Sequence, residues 1–141
     1  MLRLAAFAVT SLLATTAAGP LPPLPLSRLL SSPDRLTIAV SATGNPRAEG
    51  EYVLECRPTG GNHPERDRAC ARLDRLAQDG SDPFAAEPER RMCTLQDGGP
   101  ATARITGTWR GQKVNASFRR TNGCEIARWN NLEPVLPAGR S

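Results

Sequence analysis

Four cysteines, Cys56, Cys70, Cys93 and Cys124, are the side chains of this chain best suited to covalent chemistry. Zinc ligation needs closely spaced pairs. No Cys-x-x-Cys occurs, and the single histidine is His63, so neither a metal nor another cofactor is expected. Hydrolysis needs a nucleophile beside a base. His63 lies in Asn62-His63-Pro64-Glu65, which reads as a helix start, with no fitting serine or cysteine partner. The chain therefore does not read as an enzyme. Disulfides remain: an even cysteine count in an exported chain predicts two bridges, with three pairings possible.

Cys93 opens the most unusual stretch, Met92-Cys93-Thr94-Leu95-Gln96-Asp97-Gly98-Gly99-Pro100. Leucine normally belongs inside, yet Leu95 stands on a glycine- and proline-rich loop. A loop anchored by sulfur loses little entropy when it docks, so more of its contact energy appears as affinity. Leu95 is the side chain that such a loop would offer to a partner.

The elements that must hold this loop are legible as periodicities. Leu36, Ile38 and Val40 alternate with Thr37, Ala39 and Ser41, the period of a half-buried strand. Tyr52, Leu54 and Cys56 share one face of a second strand, with Glu51, Val53 and Glu55 on the other. Asn62 predicts a helix cap, followed by proline and an acid in the first turn. Ala69, Cys70, Leu73, Leu76 and Ala77 then recur at helical spacing, and Asp79-Gly80 ends the helix. Residues 82–89 read as irregular. Ala101, Ala103, Ile105, Gly107 and Trp109 form the apolar face of the clearest strand. Arg110-Gly111 turns the chain into Val114, Ala116 and Phe118. Residues 125–131 read as a short helix or strand. The class is α+β, an antiparallel sheet with one face covered by helix. Cys56 ends a strand and Cys70 rides the next helix, so pairing them staples helix to sheet and leaves Cys93 for Cys124. The loops closed, of about 15 and 32 residues, are worth roughly 3 and 3–4 kcal/mol in the chain-entropy model.

Residues 1–18 have the pattern of an export signal: Arg3, an apolar run from Leu4 to Ala14, and small residues for cleavage after Ala18. That run is too short to span a bilayer and no other stretch resembles a span, so no membrane partner is expected. Residues 19–33 are a proline-rich flexible arm. The folded domain is expected at 34–132 and a frayed C-terminal tail at 133–141. The net charge is +4, and 17 of the 18 basic residues are arginine. These are interleaved with acids and aromatics are few, which argues against nucleic acid.

The region Leu36 to Ile126 resembles the Streptomyces subtilisin inhibitor family. The resemblance is carried by Cys56-Arg57-Pro58, Gly61-Asn62-His63-Pro64, Ala69-Cys70-Ala71 and Met92-Cys93. Gly107-Thr108-Trp109-Arg110-Gly111 and Asn122-Gly123-Cys124-Glu125 complete it. It implies a secreted, extracellular inhibitor of subtilisin-like, and by pocket chemistry chymotrypsin-like, serine proteases. It implies a five-stranded antiparallel sheet with two helices, a homodimer, and disulfides Cys56–Cys70 and Cys93–Cys124. The scissile bond would be Leu95–Gln96, with Leu95 at P1 and Gln96 at P1′. Thr94, Cys93 and Met92 become P2, P3 and P4, Asp97 lies in the protease-binding segment, and Asn122 either braces the loop or is a turn residue.

Family members commonly carry Tyr-Asp-Pro-Val after P1′, whereas this chain has Asp97-Gly98-Gly99-Pro100. The two glycines are expected to loosen the primed side. Alternative functions are inhibition of another secreted protease, such as a metalloprotease, through a different surface, or a structural module offering Gln96 to a transglutaminase.

Overall fold

The computed structural model describes residues 18–23 and 33–139. The export signal read at 1–18, Ala18 apart, and residues 24–32 of the proline-rich arm lie outside the described residues.

Five strands form one antiparallel sheet: β1 (Asp34–Ser41), β2 (Gly50–Cys56), β3 (Gly60–Gly61), β4 (Thr102–Trp109) and β5 (Gln112–Phe118). Their order is β3-β2-β1-β4-β5. Two helices, α1 (Arg66–Gln78) and α2 (Gly123–Asn131), complete the fold. The α+β class holds, with five strands and two helices.

Alternation sets the buried face. The register aligns Tyr52, Ile38, Ile105 and Ala116 across four strands, and Val40 with Ala103 and Phe118. Ile38 and Ile105 are fully buried. α1 lays Ala69, Cys70, Leu73 and Leu76 on this core, and α2 adds Trp129. Arg72 joins the two helices by donating to the backbone and side-chain oxygens of Asn131 at 2.8 and 2.7 Å. The β4–β5 hairpin turns on Arg110 and Gly111, both at positive φ (48° and 78°), the conformation a two-residue hairpin loop requires. Beside that turn, Arg57 and Arg110 sit over the Trp109 ring at 5.2 and 5.7 Å from its centroid.

Two expectations need correction. Asn62 does not cap α1. Its Oδ1 accepts the Val53 N–H at 2.6 Å, while α1 begins after Glu65 with no side-chain cap. The backbone of β2, next to the two-residue β3, leaves this N–H without a strand partner, and the amide of Asn62 supplies one. Nor do residues 133–139 fray. Val135 and Leu136 are buried to 1% and 0%. The carbonyl of Val135 lies 3.0 Å from His63 Nε2, and Trp129 Nε1 donates to the carbonyl of Pro137 at 2.8 Å. Two apolar side chains beside an open corner of the core gain more from burial than the segment loses in entropy.

Candidate functional site

The loop from Met92 to Gly99 leads into the start of β4 and runs beside the segment 120–124. Leu95 and Met92 are 101% and 96% exposed. Exposed apolar side chains of this size on a fixed loop mark a contact surface.

Each flank of Leu95 is tied down. On the N-terminal side, Cys93 is bonded to Cys124, with Cα atoms 5.3 Å apart. The Gly123 N–H donates to the Thr94 carbonyl at 3.0 Å. Gly123 has no side chain for a reason: a Cβ there would lie 2.0 Å from Thr94 Oγ1. The Thr94 hydroxyl in turn donates to Gln96 Oε1 at 3.4 Å, so side chains on both sides of Leu95 meet behind it.

On the C-terminal side, Gly98 N–H donates to the Arg120 carbonyl at 2.7 Å, and Arg120 Nε donates to the Gly98 carbonyl at 3.1 Å. The Gly99 N–H closes a turn on Asp97 Oδ1 at 2.9 Å. The two glycines expected to loosen this side are both hydrogen-bonded. Gly98 is glycine because of close approach, with Arg120 Cβ and Ile126 Cγ1 each 2.9 Å from where its Cβ would stand.

Asn122 acts through the scaffold. Its Oδ1 accepts the Glu125 N–H at 2.9 Å and so caps α2. The hydrogen bond to the loop comes from the next residue's backbone. By fixing the first turn of α2, Asn122 sets the direction of the Gly123 N–H.

Two supports carried no sequence signal. Arg120 is 4% exposed. Besides Gly98, it donates to Asn130 Oδ1 at 2.8 Å and stands 5.7 Å from the Trp129 ring. Arg128 donates to the carbonyls of Ala85 at 2.7 Å and Ser117 at 2.6 Å. Its guanidinium lies 3.9 Å over the Phe118 ring. Arg128 thereby fixes the chain that leads into the loop. The preference of arginine for carbonyl forks and aromatic faces explains both.

His63 lies away from the loop, buried, with Nδ1 accepting the Glu65 N–H at 3.1 Å and the Tyr52 ring edge-on at 5.9 Å. Among the described residues no group of three His, Cys, Asp or Glu side chains is placed to hold a metal. Among the same residues no helix is long and apolar enough to cross a membrane. The second disulfide, Cys56–Cys70, joins β2 to α1 with Cα atoms 5.7 Å apart.

The chain is similar to known proteins. A family model described as subtilisin inhibitor-like matches residues 32–122. The chain belongs to the subtilisin inhibitor-like family. Subtilisin inhibitor-like protein 1 of Streptomyces cacaoi is 32% identical over 91 residues, which cover 62% of this chain and 79% of that protein. Protease inhibitor SIL-V2 of Streptomyces orinoci is 36% identical over 90 residues, covering 63% and 81%. The crystal structure of Streptomyces caespitosus sermetstatin in complex with Bacillus licheniformis subtilisin superposes with a TM-score of 0.48 at 21% identity. That match covers 76% of this chain and all of that one.

Proposed function

We propose that this subtilisin inhibitor-like chain is a secreted protein that inhibits subtilisin-type serine proteases in the manner of a substrate, with Leu95 at P1 and Leu95–Gln96 as the scissile bond. One observation carries the reading: Leu95 is fully exposed while the backbone on either side of it is bonded to the scaffold, at Thr94 and at Gly98. The names of its relatives, a subtilisin inhibitor-like protein and a protease inhibitor, support the same class.

The loop pairs its backbone with the protease as an added strand. Leu95 enters the S1 pocket, Met92 the apolar S4 pocket, and Thr94, Cys93 and Asp97 complete the contact. The protease serine attacks the Leu95 carbonyl and the Gln96 amine becomes the leaving group. Gln96 is held through Gly98, and the acyl side through Cys93. The amine therefore stays within reach of the acyl-enzyme, and religation competes with hydrolysis. Slow dissociation follows from preorganisation rather than from area. A leucine suits subtilisin and chymotrypsin pockets and not the carboxylate-bearing pocket of trypsin. The chain then acts as a binding protein, not an enzyme. Pairing of two copies, which the family resemblance implies, is read by analytical ultracentrifugation.

Titration of subtilisin, chymotrypsin and trypsin with the purified chain tests the reading. Near-stoichiometric inhibition of subtilisin and a slow nick between residues 95 and 96 are expected. Leu95→Lys should move the preference toward trypsin. An unchanged preference would remove Leu95 from P1.

A further inference from the structure

Directly before Met92 the chain reads Glu89-Arg90-Arg91, and neither arginine takes part in the inhibitory contacts described above. Residues 88–92 are exposed and lie outside helix and strand, with Glu89 and Arg90 at the tip of a turn. Their recorded restraints are slight: Arg91 N–H to the Pro88 carbonyl at 3.0 Å, and an ion pair from Arg91 to Glu87 at 3.1 Å with the arginine 60% exposed. With its guanidinium largely in water, Arg91 is readily given up to a competing carboxylate.

We propose that the Arg90-Arg91 pair is a processing site, cut on its C-terminal side by serine proteases whose S1 pocket carries a carboxylate. The protease serine attacks the Arg91 carbonyl and the Met92 amine leaves. Water then releases Arg91 as a carboxylate, so the products are a new C-terminus and a new N-terminus.

The disulfide topology makes this bond a substrate and not a second inhibitory bond. Cys56–Cys70 closes before it and Cys93–Cys124 after it, so no covalent link spans the cut. The nearest firm hold on its N-terminal side is Arg128 on the Ala85 carbonyl. The sheet still joins the two halves through β1 and β4, but the new C-terminal end is untethered back to Ala85 and can swing away from the Met92 amine, so religation loses to hydrolysis. The Leu95–Gln96 bond, inside the Cys93–Cys124 ring, has the opposite property. Elsewhere among the described residues, no two adjacent basic residues are both exposed: Arg119 is, but its neighbour Arg120 is buried.

Limited digestion of the full chain with trypsin, read by mass spectrometry and by denaturing electrophoresis without reductant, tests the proposal. Within residues 34–139 the first cut should fall between Arg91 and Met92. It should release two separate bands without reduction, whereas a cut at Leu95–Gln96 leaves the pieces joined until thiol is added. The double variant Arg90→Gln, Arg91→Gln should slow this cut by about a hundredfold or more. A first cut at another bond of that region, a cut rate unchanged in the double variant, or stoichiometric trypsin inhibition without cleavage would each overturn it. The result does not depend on whether Leu95 binds subtilisin, because a different protease and a different bond are scored.

Discussion

Gly98 and Arg120 exchange a pair of hydrogen bonds, Gly98 N–H to the Arg120 carbonyl at 2.7 Å and Arg120 Nε to the Gly98 carbonyl at 3.1 Å. This exchange fixes the primed side of the loop to a buried guanidinium. It does for the C-terminal flank of Leu95 what the disulfide does for the N-terminal flank.

Gly98→Ala should therefore weaken inhibition. The new Cβ would stand 2.9 Å from both Arg120 Cβ and Ile126 Cγ1, and overpacking of this kind costs about 1–3 kcal/mol. Taken from the binding-competent loop, that is roughly five- to hundredfold in the inhibition constant for subtilisin. The melting temperature, measured alongside, should fall only slightly.

Gly123→Ala attacks the other flank. Its Cβ would meet Thr94 Oγ1 at 2.0 Å, so Thr94 must turn away and release Gln96. Faster nicking by subtilisin at residues 95–96 is expected, followed by mass spectrometry over time. Nicking at the rate of the parent chain would show that Thr94 has no part in holding the bond.

Replacing both Cys93 and Cys124 by serine should turn the inhibitor into a substrate. The chain-entropy model assigns the cross-link roughly 3–4 kcal/mol of stability, which urea unfolding will read. The larger effect is on turnover. Without the tie, the acyl half of a cut loop departs, and a stable complex in gel filtration should give way to fragments. Replacing Cys56 and Cys70 should lower stability while leaving the folded fraction inhibitory.

Leu136→Ala should destabilise the domain by about 2–5 kcal/mol, the range for emptying a well-packed leucine site. Leu136 is 0% exposed. The residual folded protein should inhibit normally, which separates a core role from a loop role.

What could be read in advance followed the reach of local pattern. Leu36-Thr37-Ile38 and Ala103-Arg104-Ile105 announce strands because alternate side chains face opposite ways. The cysteines and Leu95 announce the loop because an apolar residue beside sulfur and glycine has few other uses. Arg120 was not legible. A charged side chain is expected at the surface, and only the tertiary fold brings Gly98, Asn130 and Trp129 around it. Val135-Leu136 between two prolines has no periodicity to read. β3 is only two glycines, and Asn62 has capping chemistry that a strand claims instead.

The Leu132–Leu136 plug also sets an order of events during synthesis. β1 pairs with β2 and β4, but their core also includes Leu132, Val135 and Leu136, which emerge later than all of them. Until they arrive, His63 and Trp129 lack the carbonyls of Val135 and Pro137, and long-range contacts of this kind form slowly. Completion of the core thus waits for residues that are made after both cysteine pairs.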